Sequence, residues 1–167
     1  MFRPRLKMPM LKHLFLLASL PVASPVLTQE LPIRPDPHLT PGAVLTTDPA
    51  TVCVPGYAKT VRHTSGKLKA QVYRAYRIDK KAGHFEVDHL ISLELGGADV
   101  AANLWPESYD TAPWNAHIKD RLEDRLHALV CAGKMTIEEA PRAIAEDWIA
   151  AYQRYVSPEP LARSARR

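Results

Sequence analysis

A chain of 167 residues that is 46% hydrophobic has the length for one domain with extensions and enough apolar content for a core. Its formal charge of +4 resides at the start, where Arg3, Arg5, Lys7 and Lys12 meet no acid; from residue 25 onward 18 basic residues balance 18 acidic ones. Overall basicity is therefore no argument for nucleic-acid binding, and two cysteines without a CxxC pair argue against a structural zinc knuckle.

In chain order, the four basic residues precede an apolar run from Leu14 to Val22, followed by Ala23 and Ser24. That is the layout of a signal peptide over residues 1–24, and it predicts an exported protein, tethered to the membrane if the leader is uncleaved. Residues 25–50 carry six prolines, which forbid a helix and predict a linker or a wrapping arm. The folded domain is expected over 51–156. In an exported chain Cys53 and Cys131 are expected to pair, closing a long loop worth roughly 4–5 kcal/mol in chain entropy; two buried thiols are the alternative. Ser65 is placed to cap a helix whose stripe is Leu68, Val72 and Tyr76. The segment from His84 alternates as a strand, with Phe85, Val87 and His89 on one face and Glu86, Asp88 and Leu90 on the other. Gly96-Gly97 predicts a turn. Asn103, Leu104 and Trp105 resume an extended segment that Pro106 should end.

A long helix is predicted from about Pro113, with Thr111 as cap and Ile118, Leu122, Leu126, Leu129 and Val130 as its buried stripe. Gly133 should stop it. Thr136 and Glu139 have the spacing of a capping box for a last helix, with Ile144, Trp148 and Tyr152 as its apolar face and a kink or a later restart expected because of Pro141. Residues 157–167 read as a disordered basic tail. The fold class that results is α+β, mostly helical with a small β-hairpin.

Charge is unevenly spread. Residues 57–81 carry eight Lys or Arg against Asp79, whereas residues 82–118 carry six acids and no Lys or Arg. The first stretch could track phosphates and the second could hold a cation; a solvated helix face is the bland alternative. The order Asp88-His89, Gly96-Gly97, Asn103-Leu104, then Asn115 and His117 ahead of Lys119, resembles the HNH nuclease family, over about residues 84–121. The resemblance implies a ββα-metal finger and cleavage of DNA or RNA. It makes His89 the general base, Asp88 a ligand of one divalent cation and Asn103 the side chain that orients the site. His117 or Asn115 would be the second ligand, and Glu94 could join the metal shell. Mg2+ is the first choice of ion, with Mn2+, Zn2+ or Ni2+ as alternatives. Lys67, Lys69, Arg74, Arg77 and Lys119 would contact nucleic acid. The chain is expected to act as a monomer, an inhibitor or immunity protein being an open possibility. The rival expectations are a non-catalytic exported binding module that keeps the finger as a scaffold, and a hydrolase of another phosphate ester.

Overall fold

The computed structural model describes residues 31–156. The leader and the basic tail lie outside the described residues. The fold is α+β, with five helices and one two-stranded antiparallel sheet among those residues. In order these are α1 (Pro49–Val52), α2 (Tyr57–Val61), α3 (Gly66–Ala75), β1 (Phe85–His89), β2 (Leu104–Ser108), α4 (Ala116–Cys131) and α5 (Glu139–Tyr155).

Local signals account for most element ends. Ser65 accepts a hydrogen bond from the Leu68 backbone and opens α3. Thr136 and Glu139 exchange reciprocal side chain-to-backbone bonds at 2.9 and 3.1 Å, a complete capping box. Gly133 follows α4 with φ +64° and donates to the Val130 carbonyl.

Four expectations need correction. The helix expected from Pro113 begins at Ala116, because Asn115, not Thr111, caps it by accepting from Ile118 N at 3.3 Å. The Thr111 hydroxyl donates to the Trp114 carbonyl instead. Helix α5 does not kink at Pro141, which falls early in it; the helix restarts later. The break is at Asp147, whose extended backbone lets its carboxylate accept from Ile149 N and Ala150 N and restart the helix. Lastly, β2 runs through Pro106. Bonds from Leu90 N to the Asn103 carbonyl and from Tyr109 N to the His84 carbonyl fix which pairs share hydrogen bonds. Val87 and Pro106 then form a non-hydrogen-bonded pair, so the missing proline N–H costs the ladder nothing.

The core lies between the hairpin, the loop after it, α4 and α5. Leu90, Leu95, Trp105, Leu122, Leu126, Ile144 and Trp148 form it, and Trp114 packs edge-on against Trp148 and Tyr152. On the other side of the hairpin Val72 of α3 meets Val87 and Leu104. The Cys53–Cys131 disulfide ties the end of α1 to the end of α4. The proline-rich segment wraps the body over its described part. The Trp148 indole donates to the Ile33 carbonyl at 2.9 Å, Arg34 pairs with Asp147 at 3.0 Å, and Thr40 donates to the Leu104 carbonyl.

Candidate active site

A regular hairpin is a ribbon with two faces, and residues opposite one another in register leave it on the same side. Glu86 opposes Glu107 and Asp88 opposes Trp105, so these four share the face whose Trp105 packs with Leu122 and Leu126 of α4. Val87, His89 and Leu104 share the face toward α3. The strand stays regular through Asp88 and His89, and these two side chains therefore depart in opposite directions.

On the α3 side, His89 sits with 2% of its side chain exposed and its Nε2 at 2.9 Å from Asp99 Oδ1. Asp99 is itself held by the Thr64 hydroxyl at 2.5 Å and by the His63 backbone N–H. Burial would raise the Asp99 carboxyl, but the bonds from Thr64, His63 and His89 outweigh it and hold it below the ordinary value. Burial pushes the His89 imidazole the other way, below its ordinary value, against the pull of Asp99. An ionised Asp99 needs a donor, so Nε2 carries the proton of the neutral ring and Nδ1 keeps its lone pair. No hydrogen bond engages Nδ1 among the described residues. The exposed Arg62 lies near enough to act electrostatically on both His89 and Glu94.

Asn103 is fully buried and uses its amide on both sides. Its Oδ1 accepts from Ile91 N, and its Nδ2 donates to the Ile91 and Ala98 carbonyls, all at 2.9 Å. It thereby pins the strand that ends in His89 to the loop that carries Asp99. The Gly-Gly turn allows that approach. A Cβ on Gly96 would stand 2.1 Å from the Thr46 carbonyl oxygen, and one on Gly97 would stand 1.9 Å from that of Ile91.

The α4 side holds a buried charge cluster. Lys119, expected at the surface, is 0% exposed. Its ammonium donates to Asp88 Oδ2 at 2.5 Å, to the His89 carbonyl at 2.7 Å and to Glu123. Burial opposes that charge, but Asp88, Glu123 and Glu107 outweigh burial and hold Lys119 well above the ordinary lysine value. Burial would likewise raise Asp88; Lys119 overrides it and keeps the carboxyl low. Glu123 is pushed up to about 8, by burial first. Glu107, 1% exposed, is raised well above the carboxylate range by burial, and neither of its oxygens has a donor. A proton on Glu107 supplies a donor toward Asp88.

The other expected ligands have partners of their own. Asn115 spends its side chain on the α4 cap and on the Thr111 carbonyl. His117 is exposed and lies against Tyr109, ring centroids 5.0 Å apart. Glu94 has His127, 4.0 Å away, as its ionic neighbour. Among the described residues, the one group of three metal-ligating side chains with ligand atoms within 4.8 Å of one another is Cys53, His127 and Cys131. The residues around Asp88 thus do not fit a divalent ion, because the Lys119 ammonium already supplies its counter-charge. The same burial removes Lys119 from the set that could contact a phosphate, whereas Lys67, Lys69, Arg74 and Arg77 are exposed on and just after α3.

Asp99, Glu107 and Glu123 went unnoticed in the sequence. Lys119 and Glu123 did carry a signal: at seven and three residues before Leu126, they share a helical face with Leu122 and Leu126. Asp99 carried none, because no local period links a loop residue to a strand ten positions earlier. Comparison with known proteins found no matching family model, no matching curated protein and no matching solved structure.

Proposed function

We propose that this chain is an exported hydrolase of nucleic-acid phosphodiester bonds with His89 as its general base. The observation that carries the reading is the Asp99–His89 pair, in which a carboxylate fixes one ring nitrogen and leaves the other with a lone pair. Nδ1 takes a proton from the attacking water, and the imidazolium that forms is stabilised by Asp99, as in other carboxylate–histidine pairs. Asn103 keeps the strand and the Asp99 loop in register. Arg62 lies within electrostatic reach of the base, and the exposed cations of α3 flank the same side of the hairpin; both are suited to seating a phosphate backbone. The order of Asp-His, Gly-Gly and Asn along the chain supports the same reading through its resemblance to HNH nucleases. No step is assigned to a metal ion, since the Lys119 ammonium already engages Asp88 and Asn115 spends its side chain on the α4 cap.

A second reading has its own observation. The near-complete burial of His89 and the Lys119 clamp also suit a non-catalytic exported module that keeps the hairpin as a scaffold. Incubating plasmid DNA and structured RNA with the purified chain, with His89→Ala and with Asp99→Asn separates the two. The hydrolase reading expects both variants to lose cleavage by roughly 100-fold or more while remaining folded. Equal cleavage by His89→Ala would remove the base, and salt-sensitive binding without cleavage would favour the module. An EDTA arm reads any ion requirement. Loss of cleavage that Mg2+ restores would mean that Lys119 yields Asp88 to an ion during turnover.

A further inference from the structure

The disulfide has a histidine beside it. His127 precedes Cys131 by one helical turn, so the two side chains share a face of α4. Its Nε2 lies 3.3 Å from Cys131 Sγ and 3.1 Å from the Val52 carbonyl, and its Nδ1 lies 4.0 Å from Glu94 Oε2. Val52 adjoins Cys53, so two backbone segments far apart in sequence bring two sulfurs and one imidazole nitrogen within 4.8 Å of one another. Cys131 is exposed and Cys53 partly so, which leaves the group open to small molecules.

We propose that, when the disulfide is reduced, Cys53, Cys131 and His127 bind one zinc ion with water as the fourth ligand. Two thiolates and an imidazole are a zinc donor set. Tetrahedral bond lengths place a thiolate and a ligating imidazole nitrogen about 3.5 Å apart, close to the spacing Nε2 and Cys131 Sγ already have. The sulfurs need only part from bonding distance to about 3.7 Å to complete the set. Glu94 is the outer partner. Metal-bound imidazoles present their second nitrogen to a carboxylate or carbonyl, and Nδ1 already faces Glu94. In the oxidised chain the Nε2 proton can point at the Val52 carbonyl; in the zinc form the ring carries its proton on Nδ1 instead.

The chemistry balances with a two-electron reductant. A cellular dithiol breaks the S–S bond, gives two thiols and leaves as its own disulfide. Zinc then displaces both thiol protons to solvent. The long loop between Cys53 and Cys131 is thereby closed in both redox states, by a covalent bond in an oxidising compartment and by a metal where the chain is made. This inference is independent of His89 and of any phosphodiester chemistry.

The test uses the full chain reduced by a phosphine, which takes its oxygen from water, and titrated with Co2+ and then Zn2+ under argon. Reduced protein should take up one Co2+ with sulfur-to-cobalt charge-transfer absorption and intense visible bands, zinc should bleach them, and the oxidised protein should show none. His127→Ala should weaken cobalt affinity at least tenfold, and Glu94→Gln should weaken it by a smaller factor. Circular dichroism is recorded on the same samples, and the oxidised His127→Ala chain serves as the folded control. Equal affinity in His127→Ala would overturn the site, because two thiols alone would then be binding. A reduced chain that stays unfolded with metal, or that remains folded without thiolate–cobalt absorption, would overturn it as well.

Discussion

His89 and Lys119 show what position alone does to ordinary side chains. His89 is neutral because burial disfavours its charge, and Asp99 decides which nitrogen is free. If His89 acts as base, cleavage should fall as pH drops and the ring takes a proton. The midpoint should lie below the ordinary histidine value of 6.5, since the imidazole is shifted down. A pH–rate profile of kcat/KM checks this, and a midpoint above 6.5 would argue against His89. Lys119 makes the opposite case. Replacing it by Met leaves Asp88 and Glu123 without their cation in the interior. Removing one partner of a buried pair costs roughly 3–5 kcal/mol. The loss should be largest near pH 8 and smaller near pH 5, where protonated carboxyls no longer need a counter-charge. Urea unfolding of Lys119→Met at the two pH values measures it; a variant as stable as the parent at pH 8 would mean the ammonium is no clamp.

At the scale of elements, the hairpin is held less by its own short ladder than by what crosses its open end. Two five-residue strands are marginal alone. Asn103 closes them with three buried bonds, and Gly97 lets the loop fold back onto the Ile91 carbonyl. Asn103→Ala orphans an N–H and two carbonyls in the interior and should destabilise by roughly 3 kcal/mol or more. Gly97→Ala should do at least as much through backbone overlap, and thermal unfolding of both variants tests the pair. These elements were legible in sequence wherever their cause was local. The Ser65 cap, the Thr136–Glu139 box, the Gly133 stop and the apolar stripes of α3, α4 and α5 all depend on residues within a turn or two. What was illegible depends on distant partners. The body of a lysine reads as surface until Asp88 is seen 31 positions away. At the break in α5, Asp147 pairs with Arg34 of the arm, a contact across 113 positions that no helical period announces. The HNH resemblance makes Asn115 a ligand, yet ahead of an apolar stripe the same residue is an ordinary N-cap.

The whole molecule is stapled at its periphery by one disulfide and strained electrostatically at its centre, and the second feature sets how stability should follow pH. An unfolded glutamate titrates near 4.5, whereas folded Glu123 titrates at about 8. Between those values the native state holds a proton that the unfolded chain has released, so stability falls as pH rises through that window and levels off above it. Glu107 acts in the same direction. Asp88 acts oppositely: its folded value lies below 3.8, so its contribution is present above 3.8 and is lost only as pH falls through that lower value. Lys119, raised above 10.5, contributes undiminished across the whole range below its unfolded value. The acids place greatest stability on the acidic side of neutrality, with His89, whose imidazole is shifted down, opposing them below 6.5. The melting temperature should fall by roughly 5 °C or more between pH 5 and pH 8. Glu123→Gln should flatten that slope, because an amide can accept from Lys119 at every pH without having to lose a proton. Calorimetry of the oxidised chain and of Glu123→Gln across this range reads both outcomes. A parent protein whose melting temperature rises toward pH 8 would mean that the acids beneath the hairpin are ionised in the fold, and that their charge is met by something other than Lys119.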